Sequence, residues 1–365
     1  MDCYWLYVIL SFTLSLLSGF IITPHIVDFC LKRKLYDLPN ERKVHKNAIP
    51  RLGGLAFLPC MFIAFLMSLY VFKCVTDDLP FNIGLWTGAF LVSLFIIYTV
   101  GVVDDIIGLG APIKFAAQII AASLLPICNL HINNLYGFMG IHEVPFWIGA
   151  PLTVFIIVFI DNAINLIDGI DGLAGGLSLI ALTGFLVCFS REQIWTYCVL
   201  IAGLMGVLTA YLYFNIWGSA EKRRKLFMGD CGSLTLGFIL GFLMVKFSMS
   251  SDWVKPFRSD SMLLAYTLLI VPCFDVVRVV LVRLRIHQPL FQADKRHFHH
   301  KLLRIGMSQH RALVAILILQ LLYVLLNSML NGVIGITYIV GIDIVIYMTV
   351  HLILDYKLKK IESIE

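Results

Sequence analysis

The sequence predicts an all-α fold: a polytopic integral membrane bundle of about eleven transmembrane helices, with the N-terminus outside and the C-terminus cytoplasmic. Three observations carry that prediction. The 365 residues are 59% hydrophobic and only 14% charged, a balance foreign to ordinary soluble domains. Apolar runs of about 20 residues recur along nearly the whole chain, each able to cross a bilayer core of about 30 Å and unlike the short alternating strands of a barrel. The basic residues also fall into alternate loops, so that only Lys73, Arg191, Lys246, Lys255 and Arg258 of the 28 Lys and Arg lie near the outer face. Confined to short loops against the bilayer, the net charge of +5 orients the chain and gives little support to nucleic-acid binding. One domain, residues 1–365, is expected, with no soluble module left over.

The first run, residues 4–27, follows Asp2 and precedes Lys32, Arg33 and Lys34, the charge order of a retained anchor and not of a signal peptide. Residues 31–54 form an inner loop in which Lys43, His45, Lys46 and Arg51 stand close to Pro50 and Gly53-Gly54. Those side chains suit phosphate oxygens, and they equally suit a plain positive-inside loop. Runs 55–74 and 81–103 make a hairpin back to GVVDDIIGLGAPIK, which carries Asp104 and Asp105. Two adjacent carboxylates at a helix C-terminus oppose the helix dipole and repel each other, so a bound cation or a cationic side chain explains them better than local stability. Lys114, in the first turn of run 112–128, is placed to face them. The nine cysteines are scattered, contain no C-x-x-C pair and read as small apolar residues.

After an outer loop at 129–145 without Lys or Arg comes the stretch around which the chain is organised, IDNAINLIDGIDGLAGG at 160–176. Its flanks read as membrane spans, where carboxylates are expensive without partners. A spacing of three turns a helix by about 300°, so Asn162, Asn165, Asp168 and Asp171 would form a drifting polar stripe. The plainer alternative is a Gly/Asp turn between hairpinned helices. Spans 194–214, 234–247 and 262–284 follow, separated by two further inner loops. In the first, Lys222, Arg223, Arg224 and Lys225 suit an anionic leaflet, whereas the following FMGDCGSL sets Asp230 in a Gly-flanked turn fit for a metal or phosphate, with Phe227 available to stack on a base. The second, at 283–306, holds His297, His299 and His300 among Lys295, Arg296, Lys301 and Arg304. Without a Cys or a supporting acid pattern, anion binding is favoured there over zinc. Spans 312–330 and 333–354 lead to the lysine-bearing tail.

All these polar motifs fall on one membrane side, which suits phosphoryl transfer between a soluble nucleotide and a lipid phosphate. VGVVDDIIGL, NAINLIDGIDGLAGG, FMGDCGSL and DKRHFHH, in that order, resemble the polyprenyl-phosphate N-acetylhexosamine-1-phosphate transferases of glycosyltransferase family 4, over residues 31–303. The resemblance implies transfer of a sugar 1-phosphate from a UDP-N-acetylhexosamine to undecaprenyl phosphate with release of UMP, Mg²⁺ or Mn²⁺ as cofactor, and a bacterial inner-membrane location with the site facing the cytoplasm. It leaves room for a homodimer. It also implies roles. Asp230 is the metal ligand, with Asp105 beside it; Asp104 and Asp105 bind or deprotonate the lipid phosphate; Asn165, Asp168 and Asp171 serve the nucleotide and metal. Phe227 stacks on the base, and Lys46, Lys114, His297, His299 and His300 contact the diphosphate, His299 with a catalytic part. The loop HKNAIPRLGG is similar to the GlcNAc-type enzymes and lacks the T-P-T-M-G-G of the branch acting on UDP-MurNAc-pentapeptide, so UDP-GlcNAc is the expected donor. Asp161 has no counterpart among the family motifs. The rival reading is a cation-coupled transporter, whose acids should lie near the membrane midplane. A lipid-binding scaffold without activity would not need both the Asp104-Asp105 pair and Asp230.

Overall fold

The computed structural model describes residues 2–37, 49–76, 84–219, 221–250, 258–289 and 296–363. Lys46, with Lys43, His45 and Lys295, lies outside the described residues. Among those described, nine helices are long and apolar enough to cross a membrane: α1 (Asp2–Arg33), α2 (Phe57–Thr76), α3 (Leu85–Ile107), α5 (Phe146–Ile167), α6 (Leu173–Arg191), α7 (Trp195–Trp217), α8 (Gly229–Ser248), α12 (Gln309–Leu330) and α13 (Ile336–Glu362). Two of the eleven expected spans depart from that standard. Helix α4 (Ala111–Ile127) has only 17 residues, and the run expected over 262–284 is broken into α9 (Ser261–Thr267) and α10 (Ile270–Arg285), bent by 70°. Gln320 accommodates the break: its amide donates to the Thr267 carbonyl at 2.8 Å and its oxygen accepts from Val271 N at 3.2 Å, satisfying backbone groups that lipid would leave orphaned.

Small antiparallel strand pairs interrupt the expected all-α pattern. β1 (Tyr36–Asp37) pairs with β2 (Ile49–Pro50), and β3 (Asn134–Phe138) with β4 (Ile141–Glu143). The second pair closes the bundle end opposite the acids, held by Tyr136 Oη to the Ser248 carbonyl at 2.7 Å and by Met139 N to Thr337 Oγ1 at 2.7 Å. The short helix α11 (Phe298–Arg304) carries the histidines at the other end.

Helix α8 is the axis of the bundle. From Cys231 to Ser248 it is wholly buried, and α5, α3, α6 and the 3-10 turn Gly53–Ala56 pack around it. In lipid, helices gain little hydrophobic energy by pairing, so close van der Waals contact must hold them, and small residues permit it. A Cβ on Gly237 would lie 2.6 Å from Asp161 Cα, one on Gly101 2.6 Å from Cys231 Cα, and one on Gly54 only 2.1 Å from Gly232 Cα. These three contacts clamp α8 from the α5, α3 and α2 sides, and so fix where its first turn, with Asp230, stands.

Candidate active site

The expected stripe on one helix is interrupted. Asn162 and Asn165 belong to α5, but the helix ends at Ile167, and Asp168 and Asp171 sit in a turn closed by Gly172 at φ +80°. That conformation favours glycine. Asn215, at the end of α7, stitches the turn to the strand of chain before α8: its oxygen accepts from Gly172 N at 2.6 Å, and its amide donates to the Leu226 carbonyl at 3.0 Å. Opposite, Phe227 N donates to the Pro50 carbonyl at 2.7 Å, while Gly53 N and Gly54 N donate to the carbonyls of Phe227 and Met228 at 2.9 and 2.8 Å. Loops far apart in sequence thereby become one wall.

They enclose a cavity of about 450 Å³, lined by Asp104, Asp105, Asp168, Asp171, Asp230, Asn165, Arg51, Phe227, Ser233 and His300 among others. The cation that Asp104 demanded is Lys114, whose Nζ stands 3.1 Å from Asp104 Oδ2 and 2.6 Å from Asp230 Oδ2. Asp230 Oδ1 accepts from Asn165 Nδ2 at 3.1 Å, and the same amide donates to Ser233 Oγ at 2.8 Å. Lys225 Nζ is 2.7 Å from Asp171 Oδ2 at the rim. Carboxylates outnumber cations here. Burial first, then the charges of Asp230, Asp171 and Asp105, push Asp168 up to about 7.

Asp105 holds a structural post that the sequence did not announce. Buried at 5% exposure, it accepts from Asp230 N at 3.0 Å through Oδ1 and from Cys231 N at 2.9 Å through Oδ2, so it caps the N-terminus of α8. With an amide on each oxygen, it helps hold Asp230 in place, and it still lines the cavity. The histidines also separate. His300 lines the cavity; His299 is buried at 1% exposure against Gly169, where a Cβ would fall 2.1 Å from Nε2; His297 is turned away from the cavity, Nδ1 2.7 Å from Asp275 Oδ2. Burial, then the neighbouring His300, pushes His299 down to about 3, so its ring is neutral at working pH. Asn162 faces Gln118 Oε1 at 2.9 Å, and Asp161 is fully buried beneath Asn165.

Sequence reasoning passed over Ser233, Asn215 and Asp275. Ser233 lies within FMGDCGSL at one helical turn from Gly229, whose carbonyl it bonds at 3.1 Å, and that i to i+4 spacing was a usable signal. Asn215 sits in an apolar helix with no local pattern around it, and around Asp275 the one local signal is the i to i+3 spacing with Arg278.

The cavity's acids gather at one end of the bundle and not at mid-height, so the site gives a transporter no support. The profile of glycosyl transferase family 4 matches residues 86–248, from α3 through α8. A Bacillus subtilis (strain 168) protein named probable undecaprenyl-phosphate N-acetylglucosaminyl 1-phosphate transferase is 32% identical over 328 residues, covering 87% of this chain and 83% of its own. The decaprenyl-phosphate N-acetylglucosaminephosphotransferase of Mycobacterium leprae (strain TN) is 33% identical over 302 residues, 76% and 72% of the two chains. An undecaprenyl-phosphate alpha-N-acetylglucosaminyl 1-phosphate transferase of Salmonella typhi is 29% identical over 295 residues, 78% and 74%. On identity sustained over most of both chains, this protein belongs to glycosyl transferase family 4, as a multi-pass membrane phosphoglycosyltransferase.

Proposed function

We propose that the chain transfers N-acetylglucosamine 1-phosphate from UDP-N-acetylglucosamine to undecaprenyl phosphate, leaving undecaprenyl-diphosphate N-acetylglucosamine and UMP. The observation that carries this reading is the Asp104–Lys114–Asp230 bridge beside Phe227 in a cavity at one bundle end, in a chain whose relatives are named for that transfer. An oxygen of the lipid phosphate attacks the β-phosphorus of the donor. As that P–O bond forms, the bond from the β-phosphorus to the bridging oxygen breaks, and UMP leaves with the bonding pair. A phosphate monoester with a second pKa of about 6 is mostly dianionic at pH 7, so positioning and charge neutralisation outweigh proton abstraction, and no phospho-enzyme is needed. Phe227 supports the uracil, and Lys114, Arg51 and His300 meet the phosphates.

Mg²⁺, replaceable by Mn²⁺, is the proposed cofactor. Among the described residues no three His, Cys, Asp or Glu side chains converge into a cage. Mg²⁺ rarely needs one, since one or two carboxylates plus substrate phosphates commonly suffice. Asp230 and Asp104 fit: both are hard oxygen donors, and they already share one cation, the Lys114 ammonium. Asp168 stands near as a further oxygen donor. When bound, the metal neutralises charge between two polyanions. The basic loops support a cytoplasmic position for this end of the bundle, and the bacterial relatives support an inner-membrane location. A compact sugar suits the cavity better than a pentapeptide-bearing one. The test is UMP release by purified protein with undecaprenyl phosphate, comparing kcat/KM for UDP-GlcNAc, UDP-GalNAc, UDP-QuiNAc, UDP-FucNAc and UDP-MurNAc-pentapeptide. Preference for the last, or no UMP from any, overturns the reading.

A further inference from the structure

We propose that Asp275 is a positioning residue for this active site, holding the His297–His300 segment in the one arrangement that sets His299 against the Asp168 turn and His300 on the cavity wall. Asp275 stands on α10, is fully buried and does not line the cavity. Its Oδ2 lies 2.7 Å from His297 Nδ1, and its Oδ1 accepts from Phe298 N at 2.9 Å, from Arg278 Nη2 at 3.2 Å and, more weakly, from Tyr347 Oη at 3.4 Å. The same Arg278 nitrogen donates to the Arg296 carbonyl. Three consecutive residues, 296–298, are thus tied to one carboxylate and its arginine.

The far end of the segment is tied separately, Lys301 Nζ to Asp355 Oδ1 at 2.6 Å. Between the two anchors, His299 presses on Gly169, next to Asp168, and its ring lies within 7° of parallel to that of His297, centroids 6.0 Å apart. His300 follows at 4.2 Å from His299, on the cavity wall. A contact needed only for packing would not require a charge. Replacing buried ion pairs by apolar side chains is often neutral or stabilising, so a carboxylate on which four donors converge at the start of one segment points to geometry and not to stability.

The inference rests on the transfer reaction proposed above, and the first measurement separates the two: a wild-type protein that releases no UMP defeats that reading, whereas the variants below are informative only once it does. Asp275→Asn keeps the shape but gives up one acceptor and the charge facing Arg278 and His297. Its kcat/KM for UDP-GlcNAc should fall by about 10- to 100-fold, as expected for displacing a positioned group by a fraction of an ångström, with the Mg²⁺ dependence unchanged. Because Asp275 acts through the histidines, adding Asp275→Asn to His299→Ala should cost less than about threefold more. Should Asp275→Asn fail to fold in detergent, His297→Phe breaks the same bond from the other side and should give the same non-additivity with His299→Ala. Wild-type kinetics in a folded variant, or losses that multiply fully with His299→Ala, would overturn the inference.

Discussion

Substituting Gly54 by alanine tests whether the close approach of backbones, more than any side-chain bond, sets the active site. The added Cβ would lie 2.1 Å from both Cα and N of Gly232, about 1.3 Å inside the 3.4 Å at which ordinary contact begins. Neither obstacle is the movable tip of a side chain, so the 3-10 turn before α2 and the first turn of α8 must part by roughly that distance. α8 has little room to shift toward α3, because Gly101 already sits where a Cβ would be 2.6 Å from Cys231 Cα. A shift of that size breaks the Asp105 cap, whose bonds to Asp230 N and Cys231 N are 3.0 and 2.9 Å, and pulls Asp230 from Lys114 at 2.6 Å. Overpacking of this kind costs about 1–3 kcal/mol in stability, and an ångström of displacement at a reacting centre costs about 10²-fold in rate. The assay is UMP release paired with thermal unfolding in detergent. Gly88→Ala, on α3 with open space around it, is the control and should be neutral or slightly stabilising. Wild-type turnover and melting temperature in Gly54→Ala would show that the helices yield freely, and the argument from close approach would be wrong.

Three further outcomes are expected. Asp230→Asn should lower turnover by at least about 10²-fold and shift the Mg²⁺ concentration needed for half-maximal rate; a full loss of rate with an unmoved Mg²⁺ titration would remove Asp230 from the metal-holding role. In metal-free buffer, stability should decline as pH rises from 3.8 to about 7: Asp168 ionises near 3.8 when unfolded but keeps its proton up to about 7 when folded, so the native state binds more protons across that window. Melting temperatures of wild type and Asp168→Asn over this range check it, and equal slopes would contradict it. Finally, single-cysteine labelling in spheroplasts should reach Asn133 from outside and Ser363 only from the cytoplasm; the reverse pattern inverts the orientation.

The spans were legible because each is a local property of about 20 consecutive residues. So were the chemically active types, since carboxylates amid apolar runs are costly and demand a reason. Partnership was not legible. What a carboxylate bonds depends on which chain segment the fold brings to it: Asp105 and Asp104 are neighbours and both line the cavity, yet one meets the amides of Asp230 and Cys231, over a hundred residues on, and the other meets Lys114. The three histidines likewise read as one anion-binding set, but helix geometry points successive residues in different directions, and Asp275, unremarkable in its own helix, claims the first of them. The polar stripe over 162–171 failed for a simpler reason. A period-three spacing is equally compatible with a helix and with a glycine-rich turn, and Gly172 in the left-handed region decides for the turn after Ile167.

The burial of α8 on every side has a consequence for how the protein is made. Of the nine long apolar helices among the described residues it is the least apolar, yet from Cys231 onward it is the one enclosed by protein along its length. During synthesis the N-terminal helices emerge first, so α1 to α7 must wait in the bilayer as an incomplete ring with Asp161, Asn165 and Lys114 facing an open slot. The arriving segment is poorly suited to lipid and well suited to that slot. Insertion of α8 is therefore a lateral docking onto its predecessors, and a substitution lining the slot, such as one at Gly237 or Gly101, would be felt as a failure of assembly in the membrane before it could be measured as a loss of catalysis.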